Sequence, residues 1–320
     1  MIHELKSLDL ASSILSIEVV NNKIYVLNNK FTLLIYCNET YVLLDKFLLL
    51  NSQENKHIYE NSLSISQGLN IYYSHINSNM GSLFKVKDDK VDHSQPIELH
   101  TKNVTFARFS RNSKFLLIGG EDGRTCFYNL EHGKSCFSLD ARSDSITSAA
   151  FSHSDKLVCV GAFDKAIYIY DITKHKAIEE INLSDTPEDL LFSDYDANIL
   201  GITRDKHVFS YDLEEKKLSY ADTILDEWPT AMVRIGVRHI LVGTKGDILY
   251  IFNINDLSLV RRFRVENIGV SSLKIRNDIL YIGYTNGELK IIDTNYLHIE
   301  FEENLQMNKF AKATSFLKDN

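Results

Sequence analysis

Five stretches of the chain decide the fold: GGEDGRTCFYNL at 119–130, GAFDKAIYIYDI at 161–172, GITRDKHVFSYDL at 201–213, GTKGDILYIFNI at 243–254 and GYTNGELKIIDT at 283–294. Each holds a glycine, a polar turn, a run rich in β-branched and aromatic residues, and then Asp or Asn. The closing residues Asn129, Asp171, Asp212, Asn253 and Asp293 stand 42, 41, 41 and 40 residues apart. Gly120, Gly161, Gly201, Gly243 and Gly283 keep nearly the same step. A fixed period of this size marks an array of small repeated units. Two degraded copies precede them: FTLLIYCNE at 31–39, with Cys37 in the Asp position, and GSLFKVKDD at 81–89, with Val86 there. That makes seven.

A run such as AIYIYDI sends alternate side chains to opposite faces of a strand, so both faces of one unit need covering. Asp122-Gly123 and Asn286-Gly287 are two-residue hairpin signals, because both positions tolerate positive φ. One copy cannot cover its own two faces; a closed ring of copies can, and closure leaves only short, protected strand edges. A β-sandwich gives no reason for a period near 41. The prediction is an all-β, seven-bladed propeller over residues 1–305, followed by a helical tail at 306–320.

The spacing and the aromatic-Asp ending resemble the WD40 repeat, whose period is about 40–45 residues with four strands per blade. Tyr36, Tyr128, Tyr170, Tyr211, Phe252 and Ile292 stand where that family has Trp, with Lys85 in the second copy. Asp122, Asp164, Asp205 and Asn286 match the family's turn Asp. The Gly-His dipeptide is missing, so the family's buried His–Asp hydrogen bonds are not expected. The resemblance implies a rigid, non-catalytic scaffold that binds other proteins. A residue choice rich in Asn, Lys and Ile looks more bacterial than eukaryotic. Within that group the chain is similar to WD40 accessory proteins of periplasmic nitrate reductase, which implies a role in assembly or maturation of a respiratory reductase.

Ring closure needs one strand that joins the first and last blades. Residues 2–10 and 296–304 both align with the outer strand of other copies; the C-terminal segment is preferred because it needs no crossover. In the tail, Phe310, Ala313, Phe316 and Leu317 fall at helical spacing. This reads as a short helix on the rim or the start of a further helical region.

The 320 residues include 44% hydrophobic and 24% charged residues, enough apolar material for a large core. A net charge of -8 argues against general nucleic-acid binding. The N-terminus carries Glu4 and Asp9 within its first turns of sequence and no continuous apolar region, and YVLLDKFLLL at 41–50 is broken by Asp45 and Lys46. Neither a secretory signal nor a membrane span is expected, and the expectation is a cytoplasmic monomer. Cys37, Cys126, Cys136 and Cys159 contain no C-x-x-C pair, so no metal site is expected and reduced thiols are.

Candidate sites follow from the blade geometry. Loops joining blades and the second hairpin of each blade share one face, which collects Asp122, Asp164, Asp205 and Asp247 with Pro187 and Trp228-Pro229. Trp228 is the single tryptophan, a residue enriched at interaction hot spots. Residues 178–197 hold seven acidic groups and no Lys or Arg, whereas residues 231–276 hold eight basic groups against three acidic ones. Arg234, Arg238, Arg261, Arg262 and Arg264 belong to this second segment and, with Trp228 and Pro229, are candidates for binding an acidic partner. Aligning the innermost strands puts Glu18, Arg108, Leu191, Arg234 and Lys274 at one position. If that column faces the central channel, either local salt bridges or a small anion are expected there. No catalytic motif, calcium loop or cofactor signature is present. A channel-mouth enzyme or anion binder, and a sensor domain of a longer helical protein, are the alternative readings.

Overall fold

The computed structural model describes residues 4–49, 63–74, 78–87, 90–91, 95–140, 144–265 and 269–297. Its strands form seven antiparallel sheets. Strand β1 is Glu4–Asp9. Blade 1 holds β2 (Ile14–Val20), β3 (Lys23–Asn28), β4 (Thr32–Cys37) and β5 (Leu43–Leu48). Blade 2 holds β6 (Leu63–Ile65), β7 (Asn70–Ser74) and β8 (Met80–Lys87), with β9 (Lys90–Val91) pairing antiparallel beside the end of β8, and β10 (Gln95–Glu98) as its outer strand. Blade 3 is β11 (Val104–Phe109), β12 (Phe115–Gly120), β13 (Arg124–Asn129) and β14 (Lys134–Asp140). Blade 4 is β15 (Ile146–Phe151), β16 (Leu157–Ala162), β17 (Ala166–Asp171) and β18 (Lys176–Asn182). Blade 5 is β19 (Pro187–Phe192), β20 (Asn198–Thr203), β21 (Val208–Asp212) and β22 (Lys217–Tyr220). Blade 6 is β23 (Pro229–Ile235), β24 (His239–Thr244), β25 (Ile248–Asn253) and β26 (Leu259–Arg264). Blade 7 is β27 (Val270–Arg276), β28 (Ile279–Tyr284) and β29 (Glu288–Asp293) with β1. The first strand of each blade packs on that of the next, and β2 packs on β27, so the ring is closed. We name the four strands of a blade a to d, from the axis outward.

The core lies between blades rather than inside them, in seven clusters, one per interface. In β17, Tyr168 and Tyr170 pack toward blade 3 while Ile167 and Ile169 pack toward blade 5. In β25, Tyr250 and Phe252 face blade 5, and Leu249 and Ile251 face blade 7. Each fully buried aromatic of this kind contributes about 1.5–3 kcal/mol. Fixing each backbone residue costs about 1–2 kcal/mol, so a blade with wet faces would not hold its shape alone.

The repeated glycine has a packing reason. A Cβ on Gly283 would lie 2.8 Å from Ile14 Cγ2 of blade 1, and one on Gly243 would lie 2.6 Å from Val270 Cγ1 of blade 7. Strand b is bare there so that the next blade's strand a can approach.

The closing strand differs from the sequence expectation. β1 pairs antiparallel with β29, with Leu8 opposite Leu289 and Asp9 opposite Glu288. Ser7 Oγ donates to Glu288 Oε1 at 2.6 Å, and Lys290 Nζ lies 3.2 Å from Glu4 Oε2. The N-terminal segment therefore takes the position assigned to residues 296–304, and Thr294–Leu297 form a 3₁₀ turn beyond β29. Leu8 adds to the apolar cluster between blades 7 and 1, which favours this choice. The helical tail expected at 306–320 lies outside the described residues.

Deleting residues 1–9 strips β29 of its outer partner. The variant should unfold at least roughly 5 °C below the full chain by calorimetry and self-associate through the bared edge. An unchanged transition would mean that β1 does not close the ring.

Candidate functional site

One hydrogen bond repeats around the face that carries the d–a and b–c loops. The residue just past strand b donates its N–H to a carbonyl in the loop entering the same blade. The pairs are Asn29 to Ser13, Glu121 to Asn103, Phe163 to Ser145, Arg204 to Thr186, Lys245 to Trp228 and Thr285 to Gly269, all 2.8–2.9 Å. Trp228 thus occupies a position where five other blades place Ser, Asn, Thr or Gly, and the fold has no need of a large ring there.

The same register stacks side chains from three consecutive blades. The Arg204 guanidinium lies 4.5 Å from the centre of the Phe163 ring and 5.0 Å from that of Trp228. Lys245 Nζ lies 4.4 Å from the Trp228 ring. Glu188 Oε1 accepts from Arg204 Nε at 2.6 Å and from Trp228 Nε1 at 3.3 Å. The result is an alternating aromatic–cation row: Phe163, Arg204, Trp228, Lys245. Contacts of this kind are worth about 0.5–1 kcal/mol each at exposed sites, enough to fix the rotamers in advance of binding. Phe163 remains 43% exposed, Trp228 is half-buried, and Ile224 nearby in sequence is 58% exposed.

Phe163 and Arg204 were not singled out from sequence, and Lys245 counted only among the basic residues of 231–276. The available signal was their position beside the turn residues Asp164, Asp205 and Asp247. Pro229, paired with Trp228 in the sequence reading, is buried at the start of β23 opposite Thr244 and belongs to the packing.

The basic segment at 231–276 is divided rather than gathered. Arg262 and Arg264 lie on the outer strand of blade 6, against Asp226 at 3.4 Å and Asp247 at 3.8 Å. Arg261 is half-buried on that strand, and Arg238 is exposed in the a–b turn of blade 6, on the opposite face from Trp228. Of the acidic segment, Glu188 supports Trp228 whereas Asp189, Asp194 and Asp196 turn toward the channel and the a–b face.

The channel column is partly as expected. Each of six blades has a β-bulge near the start of strand a. Counting from it, Glu18, Arg108, Leu191 and Lys274 fall at equivalent positions, but Val233 takes the place assigned to Arg234. Arg234 lies one residue nearer the a–b mouth, ion-paired with Asp194. Lys274 Nζ is 2.9 Å from Glu18 Oε1. Arg108 reaches past blade 4 to Asp189 Oδ1 at 3.0 Å, whose Oδ2 accepts from the Met232 N–H at 3.0 Å. These charges are satisfied inside the channel. Burial, together with the Arg111 and Arg234 charges, pulls the nearby His153 imidazole below its ordinary pKa, against the pull of Asp196 and Asp194.

One buried network was not expected. His100 Nδ1 lies 2.9 Å from Asp122 Oδ1, His100 Nε2 lies 3.2 Å from the Ile118 carbonyl, and the Thr101 N–H donates to Asp122 Oδ2 at 2.8 Å. This is the His–Asp connection that the missing Gly-His dipeptide argued against; His100 supplies it from Leu99-His100, without the glycine. Among the described residues no group of His, Cys, Asp or Glu could hold a metal ion, and no helix is long and apolar enough to cross a membrane. Cys37, Cys126 and Cys159 are free thiols, and burial pushes the Cys159 thiol up to about 12.

Burial pushes the Asp122 carboxyl up, but the Thr101 N–H, His100 and the Arg124 N–H together hold it below its ordinary value. A depressed carboxylate stabilises the fold above its unfolded pKa and loses that contribution as pH falls through the folded value. Asp122→Ala should therefore cost roughly 1–3 kcal/mol at pH 7, with the difference from wild type shrinking below about pH 4. Urea unfolding at both pH values checks this; a gap that is constant with pH would contradict it.

The description "WD domain, G-beta repeat" matches residues 93–129 and 133–171. The chain is also 32% identical over 98 residues to WD repeat-containing protein 44 of Xenopus laevis, a match covering 28% of this chain and 11% of that protein. Each matched repeat starts on the outer strand of one blade and ends on the third strand of the next. Read in that phase, the strands from β1 to β29 make seven repeats, and the first repeat's outer strand completes the last blade. Seven sectors closed by this offset make the chain a seven-bladed β-propeller, two of whose repeats match the WD40 family model.

Proposed function

We propose that this propeller is a protein-interaction scaffold whose principal contact surface is the d–a and b–c face around Trp228. A WD40 propeller supplies a rigid ring from which loops of several blades reach one partner. The observation that carries the choice of surface is the Phe163–Arg204–Trp228–Lys245 row. Large aromatic and Arg side chains are the common anchors of protein interfaces, and here they are held in place before any partner arrives. The row presents cations between aromatic rings, so the matching partner segment carries carboxylates beside apolar side chains. The narrower role, in assembly or maturation of a respiratory reductase such as periplasmic nitrate reductase, rests on the sequence resemblance alone.

Ser stands at the Trp228 position in two other blades, which makes Trp228→Ser a fold-compatible test. Affinity capture from extract of the source cells should recover a partner with the wild-type chain and with Arg264→Gln, a control on the rim. Trp228→Ser should weaken that capture by at least roughly tenfold. Equal recovery by Trp228→Ser would remove this surface from the proposal.

A further inference from the structure

At the opposite end of the axis, the channel opens between the a–b turns into a cavity of about 470 Å³. That volume falls within the range of small-molecule sites, roughly 300–1,000 Å³. Its walls carry Arg108, Arg111, Arg234, Lys274 and Arg276 against Glu18, Asp189 and Asp278. In a chain of net charge -8 this is a local reversal of sign.

The pairing pattern sharpens the point. Arg108, Lys274 and Arg234 are matched by Asp189, Glu18 and Asp194. Arg111 and Arg276 form no ion pair among the described residues. The Arg111 backbone N–H is held by Asp155 at 3.0 Å, and the Arg276 guanidinium makes one contact, to the Val19 carbonyl at 3.4 Å. A guanidinium has five N–H donors, so these two groups bring many donors to a cavity whose remaining carboxylate is Asp278. His153, also on the wall, is held between Asp194 Oδ1, 3.4 Å from its Nε2, and Asp196 Oδ1, 3.6 Å from its Nδ1. Arg111 comes from blade 3 and Arg276 from blade 7, so they face the cavity from well-separated sectors of the ring.

The turns that carry Arg111 and His153 are fixed. Asp155 of blade 4 accepts from the Arg111 and Asn112 N–H groups of blade 3. Asp196 of blade 5 accepts from the His153 and Ser154 N–H groups of blade 4. The turns of blades 3 and 4 are therefore each stapled to the next blade, and this part of the mouth is shaped without a ligand.

We propose that the a–b mouth of the channel binds a small oxyanion with two anionic groups, of the diphosphate or dicarboxylate class, held by Arg111 and Arg276. Arginine suits this role because its fork matches carboxylate and phosphate oxygens. The site lies on the face opposite Trp228 and stands or falls independently of it.

The test is thermal unfolding of the full chain in 10 mM inorganic pyrophosphate or succinate, against sodium chloride at equal ionic strength. For a dissociation constant near 1 mM the shift should be roughly 3 °C. The two probes separate phosphate from carboxylate preference, and a shift with either supports the site. The double variant Arg111→Gln/Arg276→Gln should lose the shift while folding normally, and Arg262→Gln should keep it. Asp278→Asn removes the competing carboxylate and should tighten binding roughly threefold by calorimetric titration, a gain that general damage to the fold would not produce. Neither probe raising the transition above the chloride control would overturn the proposal. So would equal loss of the shift in Arg262→Gln, or weaker binding in Asp278→Asn.

Discussion

The two middle strands of every blade belong to two hydrophobic interfaces at once. Tyr168 and Ile167 are adjacent in sequence yet buried in different clusters, against different blades. No blade can satisfy that demand by itself, and a row of blades would leave one wet face at each end. Only a circle supplies a neighbour for every face. The bare Gly243 and Gly283 positions, the repeated bulge at strand a and the loop hydrogen bonds that set the row at Trp228 are local consequences of bringing neighbouring blades close enough.

Much of this was legible in the sequence because the relevant physics is periodic. The glycines, the alternating Ile and Tyr of AIYIYDI and the Asp-Gly and Asn-Gly turns each report a local requirement that recurs near every 41 residues. Closure was not legible in the same way. Residues 2–10 and 296–304 both read as outer strands, and a local pattern cannot say which one lies beside β29. The phase of the repeat decides it, because an outer strand that opens each repeat must complete the blade before.

The sites were legible only in part. Trp228 was conspicuous as a lone tryptophan, but its partners sit 65, 24 and 17 residues away at Phe163, Arg204 and Lys245, and only the blade register aligns them. Arg234 was displaced by one position from the channel column because Ile235 was matched to Phe109, Phe192 and Ile275, whereas the count from the shared bulge puts Arg234 beside them. His100 was missed because the search relied on its usual glycine neighbour, whereas the chemistry requires only an imidazole within reach of Asp122. Basic residues that are close in sequence, such as Arg238, Lys245 and Arg262, lie at opposite faces and the rim, since an antiparallel blade reverses direction every few residues.

The pairing of β1 with β29 joins residues separated by almost the whole chain, Glu4 with Ile292 and Asp9 with Glu288. During synthesis the first strand has no partner until the last is made, and it waits through the assembly of six sectors. Contacts this distant in sequence carry the largest loss of chain freedom and form late. The latch therefore acts as a check on completeness: a nascent chain interrupted before β29 keeps an open seam, with Leu8 and the inner face of blade 1 presented to chaperones or to proteolysis.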